Sequence, residues 1–410
     1  MYNIILYEDQ QYSQFYPLSY LRPSWELRCG AFSFIQRLEK IVKSSAICHW
    51  ASRERSVFSQ PAKFGKGPVL LVNGRAFISQ PDMKALLTNK GRALIMAGGK
   101  IAAFKLDDDK DIGKILTADP DDGILFQLAE GAKQIPSSAK IFNRLWELVD
   151  FNRQAIGHDR RFFKGVAAKL PNGVHLLGKR SDLWLSNEAA IEPGSAIDTR
   201  QGPVIIEAGA RVRPLSFIEG PCYVGPGSLI DGAKLRPGVS VGRGCRLAGE
   251  IEESVILDFS NKHHDGFLGH SYVGSWVNLG AQTCNSDLKN NYGEISIWSN
   301  GHYVDSGLIK VGCFIGDHSK TAIGTMINTG AVIGVCCSVF GGGVRKYLPS
   351  FSWGCSGGFT DHKLEQALRT CRMAMARRDC QLTAVQEALI RRLFQETAGD
   401  RGRSTRGGRS

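Results

Sequence analysis

IEAGARVRPLSFIEGPCYVGPGSLIDGAKLRPGVSV, residues 206–241, places an aliphatic side chain at every sixth position: Ile206, Val212, Ile218, Val224 and Ile230. Small or turn-forming residues fill the gaps, among them Gly209, Pro214, Gly220, Gly225, Gly227 and Gly232. A helix repeats its apolar face every three to four residues, and a half-buried strand every two. A period of six fits neither. It fits a coil of short strands in which one aliphatic per hexad points inward, three hexads complete a triangular turn, and each turn stacks on the last. After a slip of one residue the pattern resumes at Leu235 and Val241. A second run follows at Ile309, Ile315, Thr321, Ile327, Ile333 and Val339, with Thr321 as its one polar member. The reading is a left-handed parallel β-helix of hexapeptide repeats over residues 186–358.

Between the two runs, residues 261–308 break the period and concentrate polar chemistry: His263, His264, His270, a cluster of Asn and Tyr292. Long departures from a regular scaffold tend to carry function. Four motifs stand in and around this segment: Leu235-Arg236-Pro237-Gly238, His264 ahead of Leu268-Gly269, the run from Val277 to Thr283 (VNLGAQT), and Asn291-Tyr292-Gly293. In these residues the chain resembles the acetyltransferase domain of the bifunctional N-acetylglucosamine-1-phosphate uridyltransferase / glucosamine-1-phosphate acetyltransferase family, in its alternative bacterial form. The resemblance runs from about residue 2 to 355.

The resemblance implies a division of labour. His264 would be the general base that takes a proton from a sugar amine, a task suited to an imidazole that titrates near neutrality. Arg236 would hold the sugar phosphate with its guanidinium fork, and Asn278 would position the acceptor. Asn291, Tyr292 and Ala281 would lie along the acyl donor, acetyl-CoA. No metal is required for that step, and the molecule would be a homotrimer with sites between subunits. Two departures bear on the acceptor. Glu252 and Glu253 stand where the family has a Lys pair, and Phe267 where a Tyr is usual. Acidic side chains repel a phosphate, so an acceptor other than glucosamine-1-phosphate is expected.

The N-terminal half opens with the apolar strand YNIILY (residues 2–7), then Glu8-Asp9, Tyr16-Pro17-Leu18-Ser19, Arg22-Pro23, Glu26-Leu27 and Gly30, and later PVLLVNG (residues 68–74). These elements resemble sugar nucleotidyltransferases, which implies an α/β domain using an NTP with Mg²⁺. The Gly-rich phosphate turn, whose backbone N–H groups cradle phosphates, is replaced by Glu8-Asp9-Gln10-Gln11, and the metal-binding Asp by Arg75. Arg22 and Arg28 are therefore expected to bind substrate, with Arg75 as a further cation against the triphosphate. The competing expectation is a domain that keeps the fold and has lost nucleotidyl transfer.

The domains expected are residues 1–130 (nucleotidyltransferase-like), 131–185 (a linker helix carrying Ile141, Leu145, Leu148, Val149 and Phe151), 186–358 (β-helix), 359–398 (amphipathic helices with Met373 and Met375 as packing residues) and 399–410 (a disordered basic tail). The net charge of +12 favours anionic partners such as phosphate esters and CoA. No zinc-finger, helix-turn-helix or RNA-recognition pattern supports nucleic acid. Eleven Cys with no CxxC pair indicate reduced thiols rather than a disulfide framework or zinc site. The absence of a leader and of a long apolar run points to a cytoplasmic, non-membrane protein. The function expected is sugar-nucleotide biosynthesis, by nucleotidyl transfer, N-acyl transfer or both. The alternative is a non-catalytic trimeric module that binds sugar nucleotides.

Overall fold

Hexads this regular, with Gly or a polar residue at nearly every corner, leave the second half of the chain one way to hide its aliphatics, and a computed structural model of the protein shows it. The structure describes residues 2–60, 67–107, 116–164, 169–355 and 358–401. Two compact units form. One comprises the chain up to Phe15, Arg22–Arg28 and Phe32–Glu147; the other comprises Tyr16–Leu21, Cys29–Ala31 and the chain from Leu148 onward.

The first unit is α/β. Strands β1 (Tyr2–Tyr7), β2 (Ser44–Trp50), β3 (Val69–Asn73), β4 (Ala93–Ala97), β5 (Lys100–Leu106) and β6 (Lys133–Gln134) form one sheet in the order β2-β1-β3-β5-β4-β6. β1 runs parallel to both β2 and β3. β1 and β3 read as near-continuous apolar runs and are buried along almost their whole length, as the inner strands of a sheet are. Ile5, Tyr7, Trp50, Leu71 and Phe104 share its core. Helix α1 (Phe34–Ile41) starts on a Ser33/Gln36 capping box, α2 (Gln80–Thr88) on Ser79 and α3 (Asp122–Leu128) on Asp121.

The second unit is a three-sided, left-handed parallel β-helix. Ile206, Val212, Ile218, Val224, Ile230, Leu235 and Val241 are all fully buried in one column-like core, as the period requires. Each such side chain stabilises the coil by about 1.5–3 kcal/mol on leaving water. The second run holds from Ile315 to Val339, but Ile309 is 55 % exposed and lies outside the core. The coil also starts earlier than residue 186: its first strand is His175–Leu177, paired in parallel with Ala196–Asp198.

The interruption expected over 261–308 is shorter than its sequence suggests. Coil strands continue through Asn261–Lys262, Phe267–Gly269, Tyr272–Val273 and Cys284–Asn285, and the chain leaves the coil only after that, in an excursion that holds the antiparallel hairpin Ser296–Ser299/His302–Asp305. The period is hidden because polar residues occupy inward positions. Lys262 pairs with Leu247, Asn285 with Ile327, and Thr321 with Val339, each polar residue opposite a core aliphatic. All three are hydrogen-bonded, as buried polar groups must be. Asn285 takes Gly269 N–H at 2.8 Å and donates to Gly269 C=O at 3.0 Å.

The single linker helix resolves into two short ones, α4 (Leu145–Asp150) and α5 (Asn152–Asp159). At the far end, α6 (Leu364–Ala376) and α7 (Ala384–Glu396) pack Leu368, Cys371, Ile390 and Leu393 against Val335, Cys336 and Phe351. Met375 is buried, but Met373 is 61 % exposed, so only one of the two methionines packs as expected. Residues 399–401, expected to open a disordered basic tail, are instead helical. Arg401 is buried, donating to Asp361, the Thr397 hydroxyl and the Phe394 carbonyl, and residues 402–410 lie outside the described residues. Among the described residues no helix is long and apolar enough to cross a membrane.

Candidate active site

The parallel register of one coil face builds the site's floor. Arg246 stands beside Asn261, Asn261 beside Asn278, and Asn278 beside Lys320. In a parallel coil such partners stack about 4.8 Å apart, so four polar side chains from four turns form one outward row. The corner before this face repeats a second pattern. Phe259, Trp276 and His318 all adopt a left-handed backbone, with φ of 61°, 61° and 60°. Their rings stack turn upon turn: Phe259 on Trp276 at 4.4 Å and 11°, Trp276 on His318 at 6.3 Å and 4°. The end of α6 closes the third side with Ala374, Arg377 and Arg378, and Arg378 donates to Asn261 Oδ1 at 2.8 Å.

These elements enclose a cavity of about 610 Å³, within the usual range of small-molecule sites. Among the described residues its lining carries Arg246, Lys320, Arg377 and Arg378, the imidazoles of His263 and His264, and no carboxylate. Burial lowers the Arg378 and Lys320 pKa values, and for Arg378 the Arg246 charge pushes the same way. Cations held together without a counter-charge in the wall present a site for an anion. The stacked indole and phenyl rings add a flat apolar wall beside it.

Of the residues singled out in the sequence, His264, Asn278 and Ala281 line this cavity. His264 is exposed to it, while the chain on either side is anchored: His263 Nε2 lies 3.0 Å from Asp231, and the His264 carbonyl accepts from Lys262 Nζ at 3.0 Å. Asn291 and Tyr292 do not reach the cavity. They lie on the excursion, where Tyr292 is 70 % exposed. Arg236 is also absent from the lining. It sits on another coil face between two carboxylates, donating to Glu219 at 2.8 Å and Glu250 at 3.1 Å, so its fork is already occupied within the chain. Arg246, Lys320, Arg377, Arg378 and Trp276 escaped sequence reasoning. The signal for the first two was the register itself, which aligns Arg246 with Asn278 and Lys320 once the hidden hexads are counted.

In the first unit the expected triphosphate site is filled by the chain's own charges. Beyond the C-terminal ends of β1 and β3, where ligands of parallel sheets bind, Glu8 takes Arg55 at 2.8 Å and the Ser24 N–H at 2.6 Å. Asp9 takes Arg75 Nε at 2.9 Å and Asn73 at 3.1 Å, and Arg75 also donates to the Phe142 carbonyl. Burial pushes the Asp9 carboxyl up, but the Arg75 charge and hydrogen bonds outweigh it and leave it below the ordinary carboxylate range. Arg75, 1 % exposed, is therefore spent on Asp9 rather than free to face a triphosphate. Arg28 is buried as well, and the Arg22 carbonyl accepts from Arg55. Mg²⁺ needs carboxylate oxygens with open lone pairs. Glu8 and Asp9 have theirs engaged by arginine, and no group of three ligand side chains gathers among the described residues, so the residues present do not fit that ion.

Comparison with known proteins bears on both halves. Residues 4–166 match the family described as sugar nucleotidyl transferase. A curated relative from Sulfurisphaera tokodaii, a bifunctional sugar-1-phosphate nucleotidylyltransferase/acetyltransferase, is 35 % identical over 199 residues, 48 % of this chain and 44 % of that one. The bifunctional protein GlmU of a Jannaschia species is 30 % identical over 128 residues, 30 % of this chain and 27 % of that one. The chain thus spans less than half the length of these relatives. A solved UDP-N-acetylglucosamine acyltransferase from Francisella novicida aligns over 55 % of this chain and 86 % of its own at 12 % identity and a TM-score of 0.37, too loose a likeness to carry an argument.

Proposed function

We propose, from a chain that joins a sugar nucleotidyl transferase domain to a hexapeptide coil, that this is a transferase of sugar-nucleotide biosynthesis whose working site is the coil cavity. The reaction assigned to it is transfer of an acyl group from acetyl-CoA or a related thioester to the amine of a sugar phosphate. One observation carries the reading: an exposed imidazole, His264, opens onto a cavity whose wall, among the described residues, holds four cations and no carboxylate.

The chemistry follows from that wall. The amine nitrogen attacks the thioester carbonyl carbon, the C–N bond forms, and the C–S bond breaks to release CoA thiolate. His264 accepts the proton that the nitrogen sheds and returns it to the departing sulfur, so charge and protons balance. Arg246, Arg377, Arg378 and Lys320 hold phosphate oxygens. Guanidinium forks grip these in two places, and the low dielectric of a half-closed cavity strengthens each contact. Asn278 orients the acceptor. Arg236 belongs to this reading only if a neighbouring copy brings it to the cavity, as a homotrimer would. A cytoplasmic location completes the proposal.

Nucleotidyl transfer by the first unit is the weaker half, since its strand-end carboxylates and arginines neutralise one another. The experiment separates the two. CoA release is followed with acetyl-CoA and a panel of amino-sugar phosphates, and pyrophosphate release with NTPs, sugar-1-phosphates and Mg²⁺. CoA release that His264→Ala abolishes supports the proposal. No CoA release across the panel overturns it and favours the non-catalytic module. Pyrophosphate release would restore the first unit as an enzyme despite Arg75.

A further inference from the structure

One inward position of the coil is occupied by the residue least suited to it. The column through Ile191, Val212, Ile230 and Leu247 is aliphatic, and the next position in register is Lys262, 2 % exposed. An ammonium in an apolar column is costly unless its hydrogen bonds are made. Lys262 Nζ makes two, to the main-chain carbonyl of Ala248 at 3.2 Å and that of His264 at 3.0 Å. Room for the amine is left by Gly249, where a Cβ would stand 2.7 Å from Nζ and 2.6 Å from the Gly266 carbonyl oxygen. Burial pulls the Lys262 ammonium down to about 8, with the charges of Cys284 and Asp265 opposing the shift.

Apolar residues fill this column elsewhere without difficulty, so the ammonium is not needed to close the coil. What it touches is the turn that carries His263 and His264 to the cavity. Among the described residues no hydrogen bond reaches the His264 imidazole, whose ring neighbour is His263 at 5.8 Å between centroids. The direction of that imidazole is therefore set by its backbone, and the backbone is tied from inside the coil.

We infer that Lys262 is a positioning residue for His264: its buried ammonium clamps the His264 and Ala248 carbonyls and so fixes the turn that aims the imidazole into the cavity. The inference rests on His264 acting as the proton acceptor and extends that reading to a residue that never meets substrate. A base misplaced by a fraction of an ångström loses rate rather than affinity. The loss therefore falls on kcat and spares KM.

The test uses the full chain with Lys262→Met, which returns the column to an apolar residue and is expected to fold, and Lys262→Gln, which keeps N–H donors. Met should lower kcat for CoA release about 10- to 100-fold with KM for acetyl-CoA within about 2-fold, and Gln should recover part of the loss. NMR of the His264 ring should show one sharp signal in the parent and split or broadened signals in Met, a readout independent of turnover. Wild-type kcat and an unchanged His264 signal in Lys262→Met would overturn the inference. Equal kcat losses in Met and Gln that track lowered Tm would do so too, by making Lys262 a structural residue. If His264→Ala leaves CoA release intact, the acyltransfer reading fails instead, and the ring signal in Lys262→Met still decides whether the clamp exists.

Discussion

The two units treat charge in opposite ways. At the strand ends of the first, the carboxylates of Glu8 and Asp9 are matched by arginines inside the chain, Arg55 and Arg75. Along the coil cavity, Arg246, Lys320, Arg377 and Arg378 face one space with no carboxylate among the described residues of its wall. The first arrangement is complete as it stands, and the second is completed by an anion. A buried pair whose partners satisfy each other needs nothing from outside, whereas gathered cations repel one another until a ligand arrives. That difference is why we propose the coil cavity as the working site, although the family described as sugar nucleotidyl transferase matches the other half.

Four changes would break or sharpen this contrast. The largest effect is expected from His264→Ala, which should cut CoA release by about 10²–10⁴-fold with little change in Tm, because the ring is exposed and unbonded to the core. A steady-state assay beside a thermal melt reads both. Arg75→Met comes next. It strands the buried Asp9 carboxylate and should cost about 3–5 kcal/mol in urea unfolding of the first unit, while Arg75→Met with Asp9→Leu recovers most of that. A single variant as stable as the parent would show that the pair is not the sealed element described above.

Arg377→Ala with Arg378→Ala should raise KM for the acyl donor about 10- to 50-fold, an effect that shrinks as salt is added, and should leave Tm nearly unchanged. An unchanged KM would remove α6 from the site. The smallest effect is a slope with pH. Lys262 ionises near 8 in the folded chain against 10.5 ordinarily, so between those values the unfolded chain binds more protons and stability rises with pH. Lys262→Met should lose that rise in a pH series of melts. Asp9 gives the opposite signature at acid pH. Its depressed carboxyl supports the first unit above about pH 4, and that support is lost as pH falls through its folded value.

Much of this was legible in one dimension. The six-residue period fixes each buried aliphatic from Ile206 to Val241, because the coil's geometry is local and repeats. His264, Asn278 and Ala281 were reachable through their motifs and do share a cavity. Ile309 was misread because an apolar residue fell in phase by accident on an exposed stretch. The turns from 261 to 285 were misread for the converse reason. Lys262 and Asn285 hold inward places that a period search scores as breaks, though hydrogen bonds make them tolerable there. Met373 reads with Met375 as a packing residue of an amphipathic helix, and the helix turns it to solvent.

What the sequence determined by itself is the coil, which rests on a six-residue spacing along the chain, while the α/β half and the candidate base His264 were reached through the resemblance of their motifs to a known family. What only the tertiary structure decided is where charge is spent. Arg75 and Arg236 read in the sequence as free cations, and folding brings Asp9 to one and Glu219 with Glu250 to the other. Arg246, Lys320 and the Arg377-Arg378 pair stand far apart in the sequence, and folding gathers them about one cavity. Charges interact through space at distances that sequence separation does not encode, so the pairing of an arginine, and hence its availability to a ligand, is a property of the fold.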